Sequence, residues 1–207
     1  ARVAARVAEA EPGEWITGGR WDHTKWPSGR FPVHDRLSAV SPDNPVFLKR
    51  VDGNSAFVNQ KALDLAGITG DTPDPSGGKI IRDSNGEATG VLVNQAMNMV
   101  KNIQPVDSEE IFMNKFKLAS ESCLKAGLTC VHEAGVGTRE ISILKKMADS
   151  NSLGLRVNAM LGEQEKPVFE AENLEDFFAG NKIVSYAGDY LSVNRVKLFF
   201  DGALGSR

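Results

Sequence analysis

Lys197 is the residue whose position most clearly predicts chemistry. It lies in the apolar run Val196-Lys-Leu-Phe-Phe200, which ends in Asp201-Gly202. Such a run is typical of a strand buried on both faces of a parallel sheet. An ammonium group there must pair with a carboxylate, reach solvent or lose its charge. Carbamylation would turn the amine into a carboxylate that can bridge two metal ions. Spacing alone leaves this interpretation and a simple ion pair at the sheet end both open.

His132 and Glu133 form a second candidate pair, at the end of the apolar stretch Leu128-Thr-Cys-Val-His132. Imidazole is a common metal donor and a base near neutral pH, but a histidine can equally be structural and bonded to a backbone carbonyl. The carboxyl of Glu133 could bind metal, carry a proton or pair with Lys197. Asp201 could act in catalysis or only begin a turn before Gly202. The residue types therefore permit catalysis without requiring it.

The second half of the chain alternates between strand and helix patterns. The capping box at 107–110 opens a helix that Gly127 ends, Thr138 opens another, and a shorter helix is expected near 173–179. Strands are expected at 128–132, 155–161 and 193–200. Such βα units predict a parallel sheet of doubly wound or barrel type, with active groups at the carboxyl ends of the strands. That rule selects His132, Glu133, Glu163 and Asp201.

The first half has a different character, because it is rich in Gly, Pro, Asp and Asn. Short strands are expected near 15–16, 46–48 and 79–81, and a short helix at 59–66 is capped by Asn59 and ended by Gly67. We divide the chain into the tail of a helix at 1–13, an irregular β-rich inserted region at 14–105, and a βα region at 106–207.

Composition excludes several classes of protein. The 207 residues are 41% hydrophobic and 25% charged, with a formal net charge of −3, so no basic footprint for nucleic acid is present. No apolar run is long enough for a membrane span, and 1–14 lacks the apolar core of a signal peptide, so we expect a cytoplasmic protein. The two cysteines, Cys123 and Cys130, have no CxxC spacing and predict neither a disulfide scaffold nor a structural zinc site.

The chain as a whole resembles the YtcJ-like branch of the amidohydrolases, the amidohydrolase-3 group of metal-dependent hydrolases. The stretches that carry the resemblance occur in family order over nearly the whole chain: Glu14–Asp22, Arg30–Pro32, Leu37–Leu48, Val58–Ile68, Asp74–Gly78, Gly86–Gly90, Gly127–Gly135 and Val196–Arg207. The resemblance implies a TIM-like (β/α) barrel with a small β domain. It also implies hydrolysis of an amide or related C–N bond in a small molecule by a metal-activated hydroxide.

The resemblance also implies roles for particular residues. In such enzymes a divalent ion, which we expect to be zinc, lowers the pKa of a bound water, and an acidic group transfers the proton. Lys197 occupies the position where the superfamily can use a carbamylated, metal-bridging lysine. The remaining assignments are catalytic for His132, Glu133 and Asp201, and substrate-binding for Asn54, Trp21 and Arg207.

The departures from the family pattern shape the expected function. The paired metal histidines of the family, His-x-His, do not occur among the three histidines of this chain. In the stretch Asp52-Gly53-Asn54, Asn54 replaces the histidine of the Asp-Gly-His that the family pattern leads us to expect. We therefore expect a fragment with about three βα units of an eight-unit barrel, which is inactive alone and self-associates through exposed strand edges. Two alternatives remain: a noncatalytic binding or assembly protein with a hydrolase-like fold, and a metal-free enzyme that uses Lys197 as a Schiff-base nucleophile.

Overall fold

A computed structural model of the chain describes residues 1–162 and 174–197. The described residues divide into two compact units, the first from Ala1 to Pro105 and the second from Val106 to Lys197. The candidate residues Glu163, Asp201 and Arg207 lie outside the described residues. No helix in the described part of the chain combines the length and the apolar character that a membrane crossing requires.

The first unit is built on a five-stranded sheet in the order β1-β2-β3-β5-β4. Its strands are β1 (Ile16–Trp21), β2 (Val46–Arg50), β3 (Ser55–Val58), β4 (Gly78–Arg82) and β5 (Ala88–Asn94). β1 and β2 pair in parallel, and the other pairs are antiparallel. The helices are α1 (Arg2–Val7), a 3-10 turn at His23–Lys25, α2 (Asp35–Ala39), α3 (Gln60–Leu65) and α4 (Ala96–Lys101). The prediction missed four elements, β3, β5, α2 and α4. It found α3 and the strands near 46–48 and 79–81, and the strand predicted near 15–16 meets β1 at Ile16.

Asn59 joins several of these elements. As predicted, its Oδ1 caps α3 by accepting from the backbone N–H of Ala62 at 3.1 Å. The same oxygen accepts from the N–H of Val46 at 2.9 Å, and Nδ2 donates to the carbonyls of Ser41 and Asn44 at 2.9 Å. The side chain is fully buried, so these bonds replace water for every polar atom that it carries.

The second unit alternates helices and strands. Its elements are α5 (Glu109–Lys125), β6 (Cys130–Val136), α6 (Thr138–Asp149), β7 (Arg156–Gly162), α7 (Leu174–Asn181), β8 (Ile183–Tyr186) and β9 (Leu191–Lys197). The sheet order is β6-β7-β9-β8. α5 begins within the predicted capping box, with Ser108 rather than Asp107 as the cap residue: Ser108 Oγ accepts from the N–H of Ile111 at 3.2 Å. Its stripe of Phe112, Phe116 and Cys123 packs on a core that includes Leu144 and Leu161.

The observed sheet corrects the sequence prediction at two points. The strand predicted at 128–132 runs instead over Cys130–Val136, because Gly127 adopts a left-handed conformation (φ +79°) and Leu128 and Thr129 connect it to the strand. β6, β7 and β9 are parallel as predicted, but β8 pairs antiparallel with β9 and covers one of its edges. The described strands of the second unit thus form an open sheet of mixed parallel and antiparallel pairs. The closed TIM-like barrel stays a prediction.

Candidate active-site face of the second unit

The three parallel strands β6, β7 and β9 have one apolar face and one polar face. Alternate residues such as Val131, Val157 and Val193 point into the core formed with α5 and α6. Because side chains alternate along a strand, the residues between them lie on the opposite face. The register between the strands places seven residues on this polar face: Cys130, His132, Asn158, Met160, Ser192, Arg195 and Lys197.

A hydrogen-bonded chain crosses all three strands on the polar face. Ser192 Oγ donates to Asn158 Oδ1 at 2.5 Å, and Asn158 Nδ2 donates to Cys130 Sγ at 3.3 Å. Ser192 is buried, so this bond satisfies a hydroxyl that water does not reach. Both cysteines are free thiols in the structure.

His132 and Lys197 share this face but lie at different levels along it. His132 is in register with Asn158, whereas Lys197 is in register with Gly162, four residues further along β7. With a rise of about 3.3 Å per residue and two strand spacings of about 4.8 Å, their Cα atoms are roughly 16 Å apart. The His132 side chain is exposed, and that of Lys197 is half-buried. The two residues therefore mark opposite ends of one surface and make no direct contact.

Glu133 lies on the other face of the sheet. It borders a cleft of about 610 Å³ together with Phe112, Phe116 and Leu144, residues of the helix-covered side. The side chain remains exposed to solvent, while partial burial in the cleft raises the pKa of its carboxyl. Because Lys197 points to the opposite face, the interpretation of Glu133 as an ion-pair partner of Lys197 is wrong. The adjacent residues His132 and Glu133 likewise do not share a site.

The substrate-binding candidates Trp21 and Asn54 belong to the first unit. The centroid of the Trp21 ring lies 6.1 Å from the ring centroids of both Trp26 and Phe57. The Nε1–H of Trp21 donates to the carbonyl of Leu48 at 2.8 Å. Asn54 Nδ2 donates to the carbonyl of Asp52 at 3.0 Å, and its backbone N–H donates to Asp52 Oδ1 at 3.1 Å. Both side chains thus have defined structural contacts, and each is partly exposed to solvent.

The side chains of the described residues do not fit a complete metal centre. Across residues 1–162 and 174–197, no three His, Cys, Asp or Glu side chains come together in a way that could hold an ion. His23 and His34 lie in the first unit, where His34 Nδ1 is bonded to Ser38 Oγ at 3.1 Å. On the polar face of the second unit, the described side chains that could ligate a metal are those of Cys130 and His132, with Lys197 at a different level. These are fewer than the protein ligands of a zinc site.

Comparison with known proteins decides the family. The model of the Amidohydrolase family matches residues 1–207. The chain belongs to this family. It is 29% identical over 205 residues to YtcJ of Bacillus subtilis (strain 168), whose name calls it an amidohydrolase, with 98% of this chain and 37% of that protein covered. It is also 27% identical over 199 residues to the N-substituted formamide deformylase of Arthrobacter pascens, with 94% of this chain and 36% of that protein covered.

The fold agrees with this assignment. The chain superposes on the crystal structure of an uncharacterized metal-dependent hydrolase from Pyrococcus horikoshii OT3 with a TM-score of 0.61 and 23% identity, over 99% of this chain and 38% of the other. This amidohydrolase chain spans less than two fifths of the length of each of these three proteins. The family is therefore established, as the resemblance predicted.

Three residues of the polar face were not predicted from the sequence: Asn158, Ser192 and Arg195. A signal was present in the stretch Leu155 to Leu161, where Asn158 is a polar residue flanked by apolar ones. A buried amide in such a position needs partners across the sheet. Ser192 lies before the predicted strand start at Val193, so its place on the strand was missed with the strand boundary.

Proposed function

We propose that this amidohydrolase chain forms part of an enzyme that hydrolyses an amide or related C–N bond in a small molecule. The observation that carries the proposal is the family match over residues 1–207, combined with a strand face that presents His132 and Lys197. The similarity to a protein named as an N-substituted formamide deformylase supports a C–N bond as the target.

In this proposal β6, β7 and β9 are strands of a TIM-like barrel, and their polar face is its interior. Active groups of such barrels lie at the carboxyl ends of the strands, and Lys197 is the last described residue of β9. A divalent metal, proposed to be zinc, would supply a Lewis acid and an activated water in the whole enzyme. Since the described residues do not assemble its ligands, we assign most of them to other segments, with a carbamylated Lys197 as the contribution of this chain.

The remaining residue roles are proposed from the family resemblance. His132, exposed at its own level of the face, is suited to contact a substrate or to exchange a proton with it. Asp201 is proposed as a proton carrier, and Asn54, Trp21 and Arg207 as substrate-binding residues. The family resemblance implies a catalytic role for Glu133 as well as for His132. Its place on the opposite face favours a role away from the reaction.

We propose further that the chain is inactive by itself and self-associates. Among the described strands, β6 is at one edge of its sheet and pairs only with β7. An unpaired edge presents backbone N–H and C=O groups that a second strand can bind. Light scattering coupled to size exclusion should show dimers or larger species. A monodisperse monomer at high concentration would contradict this part of the proposal.

A second candidate is a noncatalytic binding or assembly protein that keeps the hydrolase fold. The specific observation in its favour is that no metal-holding group of side chains forms among the described residues. The two candidates differ in one outcome. A natural full-length protein that contains this chain should hydrolyse amides in the first case and only bind them in the second.

The test is an assay of that full-length protein, loaded with zinc or manganese, on a panel of N-substituted formamides and other small amides, with amine release as the readout. Lys197→Ala should abolish turnover, whereas Lys182→Ala, at an exposed lysine before β8, should leave it unchanged. In ¹³C-bicarbonate, wild type but not Lys197→Ala should show a carbamate resonance. No amine release from any amide would refute the hydrolase proposal. Full turnover by Lys197→Ala would refute the role of the lysine, and a borohydride-trapped adduct at Lys197 would indicate Schiff-base chemistry instead.

A further inference from the structure

A cleft on the helix-covered side of the second unit has the character of a ligand site. It lies between the first half of α5, the end of β6 and the start of α6. Its volume of about 610 Å³ is within the range of small-molecule sites. It is on the opposite face of the sheet from His132 and Lys197. An occupant of the cleft is therefore separate from the proposed substrate.

Aromatic side chains form one wall of the cleft. Phe112 and Phe116 are one helical turn apart on α5, with ring centroids 6.5 Å apart and planes inclined by 23°. Both pack against the core and are only partly buried, so part of each ring faces the cleft. Leu144 of α6 adds an aliphatic surface. These walls suit an aromatic or aliphatic group of a ligand.

The polar groups of the cleft favour a cation. Three carboxylates, those of Asp107, Glu133 and Glu140, line it together with one ammonium, that of Lys115. Asp107 is paired with Lys115 at 2.5 Å, and Glu140 is paired with Arg139 at 3.3 Å and accepts from the N–H of Gly137 at 3.1 Å. The Glu133 carboxyl takes part in no hydrogen bond or ion pair within residues 1–162 and 174–197. It is thus the acid that can receive a ligand.

We propose that this cleft binds a small organic ammonium ion with an aromatic group, such as an arylalkylamine. The ammonium group pairs with the Glu133 carboxylate, and the ring lies against Phe112 and Phe116. An anion would meet an excess of carboxylates, and a neutral ligand would leave Glu133 partly desolvated without a partner. The partial burial that raises the pKa of Glu133 also strengthens a charge-assisted bond formed there.

The test uses the purified chain and phenethylammonium chloride, titrated by ¹H–¹⁵N correlation spectra. The amides of Gly135, Val136 and Gly137 at the cleft should shift in a saturable way. Two probes of similar shape, 2-phenylethanol and phenylacetate, should bind more weakly by a factor of about ten or more, since each lacks the cation that a charge-assisted bond needs.

The matched variants are Glu133→Gln and Glu121→Gln. Glutamine keeps the shape of Glu133 and removes its charge, so affinity for the ammonium should fall at least about tenfold. Glu121 is an exposed acid on α5, the helix that carries Phe112 and Phe116, and it does not line the cleft. Its variant should therefore bind the ammonium ion like wild type. The proposal is overturned if the alcohol binds as tightly as the ammonium, if Glu133→Gln retains full affinity, or if no saturable shift occurs at β6.

Discussion

Replacement of Asn59 by alanine should destabilise the first unit far more than removal of an ordinary helix cap. The side chain is fully buried and bonds to four backbone groups, those of Val46, Ala62, Ser41 and Asn44. Alanine removes the cap of α3 and leaves buried donors and acceptors without partners. The matched control is Ser108→Ala, because Ser108 caps α5 at an exposed position through its bond to Ile111.

The expected magnitudes follow from these contacts. An exposed cap contributes about 1 kcal/mol, which is the loss expected for Ser108→Ala. For Asn59→Ala the same cap is lost, and each buried group left unpaired adds about 1–3 kcal/mol, so two such groups bring the total to about 3–7 kcal/mol. A loss of this size is a large part of the stability of a small domain.

Urea denaturation provides the assay. All three tryptophans, Trp15, Trp21 and Trp26, lie in the first unit, so tryptophan fluorescence follows that unit alone. Far-UV circular dichroism follows the unfolding of both units, so it gives the free energy of unfolding of both variants with one probe. If Asn59→Ala loses no more free energy of unfolding than Ser108→Ala, the bonds of Asn59 do not have the energetic role argued here.

Three other predictions concern backbone, charge and the polar face. Gly90 and Gly86 have nearly equal φ values of +88° and +87°, but a Cβ at Gly90 would lie 2.4 Å from the carbonyl oxygen of Val58, and one at Gly86 would meet nothing. Denaturation should therefore show Gly86→Ala costing about 1–2 kcal/mol and Gly90→Ala about 1–3 kcal/mol more; equal losses would contradict the contact. Burial raises the folded-state pKa of Glu133 above the ordinary 4.5, so the folded chain keeps its proton longer than the unfolded chain. Relative to Glu133→Gln, the unfolding free energy of wild type should fall as pH rises from below 4.5 through the raised pKa, and a parallel pH dependence of the two would exclude the shift. Asn158→Ala should lower stability by about 1–3 kcal/mol in thermal denaturation, because it leaves the buried Ser192 hydroxyl unpaired; an unchanged Tm would show that the cross-strand bonds are dispensable.

Local signals predicted the elements whose ends are marked by specific residues. Ser108 and Gly127 define α5, and Asn59 and Gly67 define α3, because caps and left-handed glycines act within one turn of the backbone. β8 was missed for the opposite reason. Its four residues gain their stability from pairing with β9, a contact that the pattern of Ile183–Tyr186 does not encode.

The candidate site was predicted only in part because a residue number does not fix the face of a strand. His132 and Glu133 are adjacent in sequence, so they were assigned to one site, yet the alternation of side chains separates them by the thickness of the sheet. The level of Lys197 relative to His132 depends on the register between β7 and β9, including an irregularity after Ala159. Such registers arise from long-range pairing and are not contained in local spacing.

The most direct test of the central claim, that this amidohydrolase chain supplies strands of the active site without the metal centre, is the metal content of the purified chain. Elemental analysis of protein never exposed to a chelator should give zinc, manganese and iron at well below one equivalent per chain. This expectation follows from the absence of a metal-holding group among residues 1–162 and 174–197. One equivalent of tightly held metal per chain would contradict the account and would show that these residues, or a second copy, complete a metal centre.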